Sequence, residues 1–203
     1  MRTLWLASTS PRRKQLLEDA GFSPNCVGSQ LDDDLLRFNE PSALGICAAR
    51  AWFKALGVHR SLCEQAVDEP GDPGVLLAAD TLCERDGQVL GKPADRTHAE
   101  RMLRGLIGAS HRTVTGVALL DRASMSRSIW CDVADVHVGA IDEHMLDEYL
   151  DSGDWRGKSG GYNLVDRQDA GWPVVCDGDP STVMGLPIRR LRPQIERMLG
   201  GEA

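Results

Sequence analysis

The sequence has no long apolar run and no excess of positive charge, and each absence excludes a class of protein. No apolar stretch approaches the roughly 20 residues that cross a bilayer, and no secretory signal precedes the first predicted strand. The formal net charge is −7 over 203 residues, whereas a general nucleic-acid binder needs a basic face. We therefore expect a cytoplasmic protein that binds neither membranes nor nucleic acid.

Closely spaced cysteines and two well-known phosphate-binding loops are also missing. Without a C-x-x-C pair, neither a zinc site nor a disulfide framework is expected, and we predict reduced, buried thiols. No G-x-x-x-x-G-K-[ST] loop or C-x₅-R loop occurs, which disfavours a nucleotide kinase or a cysteine-dependent phosphatase. The cysteines are scattered along the chain: Cys26, Cys47, Cys63, Cys83, Cys131 and Cys176.

The most informative segment is the start of the first predicted helix, where a hydroxyl-rich turn meets three consecutive cations. Ser10 is the predicted N-cap and Pro11 the first helical residue. Residues 12–14 add positive charge where the helix dipole is already positive, at a cost of about 0.3–1 kcal/mol per charge. Free N–H groups and guanidinium groups there suit a phosphate. The alternative is a basic helix start whose side chains extend into solvent.

The remaining pattern alternates strands and helices in a single domain over residues 1–203, which predicts an α/β fold with a mixed sheet. Residues 59–73 are polar and are predicted as a surface loop, and residues 157–185, rich in Gly, Asp and Pro, as mostly loop. The predicted strands are Thr3–Ala7, Val75–Ala79, Arg112–Leu120 and Ile129–Val138. The predicted helices are Pro11–Ala20, Pro41–Leu56, Ala94–Leu106, Ile141–Leu150 and Ile188–Leu199.

Two candidate residues for chemistry follow predicted strands or turns. Asp80 comes directly after the buried run Val75–Ala79, a position that suits a ligand crevice, although the capping of a turn explains it equally well. Lys92 lies in a rigid Gly-Lys-Pro turn, either as a solvated residue or as a phosphate ligand.

An acidic loop and two further lysines complete the candidates. The adjacent carboxylates Asp32, Asp33 and Asp34 repel one another. A hard divalent metal would relieve this repulsion, and a solvated acidic loop is the alternative. Helix periodicity alone favours a solvent-facing Lys54, and Lys158 begins a glycine-rich turn that could enclose a ligand or lie on the surface. Together these groups suit metal-assisted attack on a polyphosphate.

These segments, taken in order, resemble the Maf family of nucleoside triphosphate pyrophosphatases. The similar segments are Leu6–Arg13, Ala79–Thr81, Gly91–Pro93, Lys158–Tyr162 and Gly185–Pro187. The resemblance implies an elongated mixed β-sheet flanked by helices, with two lobes around a central nucleotide-binding cleft, similar to inosine triphosphate pyrophosphatases and often a homodimer. It also implies cleavage of a nucleoside triphosphate into the monophosphate and pyrophosphate with a divalent metal, Mg²⁺ or Mn²⁺.

The resemblance further implies roles for individual residues. Asp80 matches the proton acceptor that activates water, and Asp33, where the family usually has glutamate, would lie with Asp80 near the metal. Lys54 and Lys92 join Asp80 as predicted catalytic residues. The predicted substrate-binding residues are Ser8, Ser10, Arg12, Arg13, Thr81, Lys158 and Val165.

The chain differs from the family at two residues, which bear on its base preference and on its turnover. Arg12 and Thr81 match the subgroup that acts on dTTP and UTP, and modified nucleotides are a further substrate class. Val165 stands where that subgroup has glutamine, and a valine side chain cannot hydrogen-bond a base. Asp33 is one methylene shorter than the usual glutamate. These departures leave a second hypothesis open, a regulatory nucleotide-binding module linked to cell division with little turnover.

Overall fold

The computed structural model describes residues 2–31, 36, 42–65 and 73–200, so the acidic loop at 32–34 lies outside the described residues. The strands are β1 (Leu4–Leu6), β2 (Asn25–Cys26), β3 (Val75–Arg85), β4 (Gln88–Leu90), β5 (Ala109–Asp121), β6 (Arg127–Val138) and β7 (Val174–Asp177). The helices are α1 (Pro11–Asp19), α2 (Ala43–Glu64), α3 (Arg96–Leu106), α4 (Glu143–Ser152), α5 (Leu164–Asp169), α6 (Pro180–Val183) and α7 (Ile188–Met198), with a 3₁₀ turn at Ser159–Gly161.

All the described strands join one mixed sheet. Its order is β2-β1-β3-β5-β6-β7, and β4 pairs with β3 outside this path. The strand β1 runs parallel to β2 and β3, whereas the other pairs are antiparallel. The long strands β5 and β6 pair with each other and are joined by a short turn at residues 122–126. The prediction of a mixed α/β sheet flanked by helices is therefore confirmed.

Helices cover both faces of the central strand β3. Leu77 and Ala79 share a core cluster with residues of α1 and α7, and Leu76 and Ala78 pack with the small residues of α2. Successive side chains of a strand point to opposite faces. The next two residues, Asp80 and Thr81, are thereby directed to the α2 face and the α1 face respectively.

The largest errors of the prediction are two element ends and one loop, because pairing and packing extend ordered elements past their apolar segments. The strand predicted to end at Ala79 continues to Arg85, paired with β5. The helix predicted to end at Leu56 continues to Glu64, so residues 59–64 are not loop, and Arg60 pairs with Glu64 one turn on at 2.8 Å. Residues 157–185 contain α5, β7, α6 and the 3₁₀ turn. The short strands β2 and β4 carry too little apolar pattern to be predicted.

The cysteines are unpaired but are not uniformly buried. Cys47 and Cys83 are buried, and Cys131 and Cys176 are half-buried. Cys26 and Cys63 are exposed, so the prediction of buried thiols is wrong for these two. Cys26 lies in the two-residue strand β2, and Cys63 lies in the last turn of α2. Burial is the main reason that the pKa of the Cys47 thiol lies above its usual range, and the nearby Asp80 carboxylate adds to it.

The helix α2 lies directly against β5 because a glycine removes the side chain between them. Gly116 faces Cys47 so closely that an added Cβ would lie 2.3 Å from that residue's carbonyl carbon. Gly116 is also the register partner of Asp80, and directly opposite residues share one face of a sheet. The same contact therefore brings α2 close to Asp80. Although α2 has 22 residues, no described helix is long and apolar enough to cross a membrane.

We expect Gly116→Ala to destabilise the fold by about 1–3 kcal/mol, the usual cost of overpacking. The obstruction is backbone, which cannot rotate away as a flexible side chain can. Urea denaturation measures the free energy of unfolding. The matched control is Gly57→Ala on the exposed side of α2, where no atom lies within 4 Å of the added Cβ. This control should be neutral or stabilising, by up to about 1 kcal/mol. Equal stability of the two variants would contradict the close contact.

Candidate active site

A gap along one edge of β3 forms the centre of the candidate site. The pairing of β1 ends at Leu77 and that of β4 begins at Cys83. Among the described residues, no strand pairs with 78–82 on this edge. At about 3.3 Å per residue, the two pairing ends stand roughly 20 Å apart. Because β1 is parallel and β4 antiparallel to β3, their carboxyl ends point towards each other across this gap.

The turn after β1 enters the gap with the predicted cap of α1. Ser10 is the N-cap, its Oγ accepts from the backbone N–H of Arg13 at 3.4 Å, and Pro11 opens the helix. Ser8 is buried, and its Oγ accepts from the backbone N–H of Ser10 at 3.1 Å. The predicted cap is therefore confirmed, and both hydroxyl groups lie in the turn.

Arg13 connects α1 to β3 and to the turn that contains Gly185. Its Nη2 donates to Thr81 Oγ1 at 3.1 Å, and its Nε donates to the carbonyl of Gly185 at 3.0 Å. Thr81 Oγ1 lies 2.9 Å from Thr115 Oγ1. Gly185 has φ +106°, a conformation that favours glycine, and an added Cβ would lie 3.0 Å from Arg13 Nε. The Gly-Leu-Pro turn thus leaves room for the guanidinium group.

Asp80 lies inside β3, and the expectation that it follows the strand is wrong. Its position nevertheless borders the gap, and only 6% of the residue is exposed. Lys54 Nζ donates to Oδ1 at 2.5 Å, and Arg50 Nη1 lies 3.8 Å from Oδ2. Both cations lie on one side of α2, four residues apart. The periodicity that favoured a solvent-facing Lys54 is therefore misleading, and sequence reasoning missed Arg50.

The second oxygen of Asp80 is the described group best suited to a metal. Asp80 Oδ2 is buried and accepts no hydrogen bond from the described residues. Hard cations bind carboxylate oxygen, and Mg²⁺ commonly takes one or two carboxylates together with substrate phosphates. No group of three or more acidic, His or Cys side chains that could hold a metal ion occurs in the described ranges. Asp33, the other predicted metal ligand, lies outside those ranges.

The segment 158–162 is held by backbone and hydroxyl contacts against the turn that contains Lys92. Ser159 Oγ donates to the carbonyl of Leu90 at 2.7 Å, and Gly160 N–H donates to the carbonyl of Gly91 at 3.1 Å. Lys92 itself is exposed. The far end of the segment is fixed by Tyr162, whose hydroxyl lies 2.8 Å from His111 Nε2. Burial lowers the pKa of His111 to about 4, and the charge of Arg85 adds to this shift.

An ionic cluster at the other side of α1 joins three segments of the chain. Arg12 Nη2 lies 3.4 Å from both carboxylate oxygens of Asp166, and Lys158 Nζ lies 3.5 Å from Oδ2. Asn163 caps α5 and donates to the same oxygen at 2.6 Å. Sequence reasoning missed Asp166, although it follows Val165 directly. Val165 is half-buried, and its backbone N–H donates to Asn163 Oδ1.

The structure thus brings most of the predicted site residues to the gap beside β3. Two contacts join them in pairs, Arg13 with Thr81 and Lys54 with Asp80. The carboxyl end of β1 leads into the turn with Ser8 and Ser10, and the carboxyl end of β4 leads into the turn with Lys92. Both turns therefore lie at the same gap. This is an α/β protein with a cation-rich candidate site at a gap in its sheet, between β1 and β4.

Comparison with known proteins places the chain within a family. The family model described as "Maf-like protein" matches residues 3–198. A Rhodopirellula baltica protein named dTTP/UTP pyrophosphatase is 35% identical over 195 residues, 96% of this chain and 81% of the relative. Proteins of the same name from Pelotomaculum thermopropionicum and Caldanaerobacter subterraneus subsp. tengcongensis are each 32% identical, covering 97% of this chain and 97% and 89% of themselves. The chain belongs to the Maf-like protein family.

Proposed function

We propose that the protein hydrolyses nucleoside triphosphates at the α–β phosphoanhydride, releasing the monophosphate and pyrophosphate, with dTTP and UTP as preferred substrates. The observation that carries this proposal is the buried Asp80, whose Oδ1 is held by Lys54 while Oδ2 accepts no hydrogen bond from the described residues. The names of the relatives support the same substrates. They do not favour the regulatory module, and no described contact does so.

Asp80 is the proposed proton acceptor. Lys54 fixes the carboxylate through Oδ1, which leaves Oδ2 to take a proton from the attacking water. The water oxygen bonds to the α-phosphorus, the bond from that phosphorus to the bridging oxygen breaks, and pyrophosphate leaves. A divalent cation, Mg²⁺ or Mn²⁺, would neutralise part of the negative charge on the phosphate groups. Asp80 Oδ2, with a second lone pair, would be a ligand to it, and Asp33 is proposed as another.

The remaining side chains are proposed to bind the substrate. The hydroxyl groups of Ser8 and Ser10 and the guanidinium of Arg13 suit phosphate oxygens at a helix start. Lys92, exposed at the end of β4, would place a mobile charge on the leaving pyrophosphate. Thr81 orients Arg13 through their hydrogen bond. We also propose a single domain with two lobes around the gap, a homodimer and a cytoplasmic location.

Product analysis tests this proposal directly. We expect purified protein with Mg²⁺ or Mn²⁺ to release pyrophosphate and monophosphate from dTTP or UTP, and a chelator to abolish the release. The control is the same assay with the corresponding diphosphate, which cannot yield pyrophosphate. Orthophosphate as the first phosphorus product would show that a different bond is cleaved. Nucleotide binding without turnover would instead favour the regulatory module.

A further inference from the structure

We propose that Asp166 reads the N3–H group of a uracil or thymine base, with Arg12 and Lys158 as hydrogen-bond donors on either side. This inference rests on the proposed function and concerns the nucleoside end of the same site. The three residues come from α1, from the segment before the 3₁₀ turn and from α5. Only the tertiary structure places them together.

The Asp166 carboxylate has unused capacity to accept a hydrogen bond. A carboxylate offers about four lone-pair positions. Among the residues that the structure describes, Asn163 Nδ2 makes the one short contact, 2.6 Å to Oδ2. Arg12 and Lys158 stand at 3.4 and 3.5 Å, the outer limit of a hydrogen bond. Oδ1 can therefore accept from a ligand, and both cations keep donors for ligand oxygens.

The cluster is accessible to a ligand. The side chains of Arg12 and Asp166 are 38% and 41% exposed, and that of Lys158 is 27% exposed. Their exposure contrasts with Asp80, which is enclosed by α2 and the sheet. Part of each of these side chains is thus open to a ligand.

Two separate groups of contacts divide the site. Arg13 and Lys54 contact Thr81 and the enclosed Asp80, at the end proposed for the phosphates. Arg12 and Lys158 instead contact Asp166. With the triphosphate at the first group, the base can lie beside Asp166.

The set of donors and acceptors selects the base. Asp166 offers an acceptor, and Arg12 and Lys158, both within 3.5 Å of its carboxylate, each offer a donor. Uracil and thymine present the complementary series along one edge, in which N3–H donates between the acceptors O4 and O2. Cytosine presents an unprotonated N3 to the carboxylate, and two acceptors then face each other. The cluster thus supplies the base contact that the side chain of Val165 cannot make.

The variant Asp166→Asn tests this assignment, because it preserves shape and removes the charge. Its amide can turn either an oxygen or an NH₂ group to the base, so it can donate to N3 of cytosine as readily as it accepts from N3–H of uracil. We expect the ratio of kcat/KM for UTP to that for CTP to fall about tenfold or more, the size of a hydrogen bond to a charged group. Hydrolysis of ribose 5-triphosphate, which has no base, should not change.

The matched control is Asp169→Asn, which removes the same charge from an exposed position of the same helix. This control should leave the UTP to CTP ratio unchanged. An equal loss of kcat/KM for UTP, CTP and ribose 5-triphosphate in Asp166→Asn would show a merely structural role and overturn the inference. A changed ratio of UTP to dUTP with a constant ratio of UTP to CTP would overturn it too, by assigning the carboxylate to the ribose.

If the proposed hydrolysis is wrong, the result differs from the results that would overturn the role of Asp166. The wild type would then release no pyrophosphate from any of these triphosphates. The base preference can still be measured from the rise in Tm that UTP and CTP produce. A larger rise with UTP in the wild type, lost in Asp166→Asn, would support the inference even so. Equal rises with the two nucleotides in the wild type would overturn it.

Discussion

Asp80→Asn should lower kcat by at least about a hundredfold, the lower range for loss of a general base. The amide matches the carboxylate in shape but cannot take up the proton of water. Turnover of UTP with Mg²⁺, measured as released pyrophosphate, checks this. The substitution also removes the charge that Lys54 contacts through Oδ1. A somewhat lower Tm is therefore expected, and the assay should be run well below it.

The matched control for this variant is Asp86→Asn in the turn between β3 and β4. That side chain is 85% exposed and lies 3.3 Å from Arg85, so the control removes a charge from the same hairpin outside the gap. Its kcat should equal that of the wild type. Near-normal turnover in Asp80→Asn would instead move the proton acceptor elsewhere, with residues 32–34 as the next candidates.

Arg13→Ala should weaken triphosphate binding about tenfold to a hundredfold, because a fork-shaped, fully charged donor is lost from the phosphate end of the site. The same change removes the hydrogen bonds to Thr81 and Gly185. This loss outweighs the small relief of removing a charge opposed to the helix dipole. The Tm without ligand should therefore fall. Thermal melts with and without a triphosphate bridged by methylene between its α and β phosphorus atoms separate the two effects.

The expected signature is a smaller ligand-induced rise in Tm for Arg13→Ala than for the wild type, as mass action requires. Lys14→Ala is the matched control, since Lys14 follows Arg13, is half exposed and pairs with Glu18 on the same helix. Its ligand-induced rise should equal that of the wild type. An equal rise in Arg13→Ala would mean that Arg13 serves the fold alone, through its contacts with β3 and the Gly185 turn.

Several features of the site could be predicted because their causes are local. The cap of α1 is one example, since Ser10 and Pro11 determine a helix start through groups within three residues of each other. The paired strands β5 and β6 are another, because a short turn between two apolar runs leaves only antiparallel pairing. The ordered series of motifs, from Leu6–Arg13 to Gly185–Pro187, also identified the family that the comparison confirms.

The sequence by itself thus determined the helix start, the mixed sheet and the family, and the tertiary structure decided how the site is assembled. The length of β3 depends on its pairing with β5, so the position of Asp80 inside a strand could not be predicted from its own neighbours. The side of α2 that faces Asp80 depends on the close approach at Gly116. The cluster around Asp166 joins residues more than 150 positions apart. Local patterns report on contacts within a few residues, whereas strand register and helix packing arise from partners that are distant in sequence.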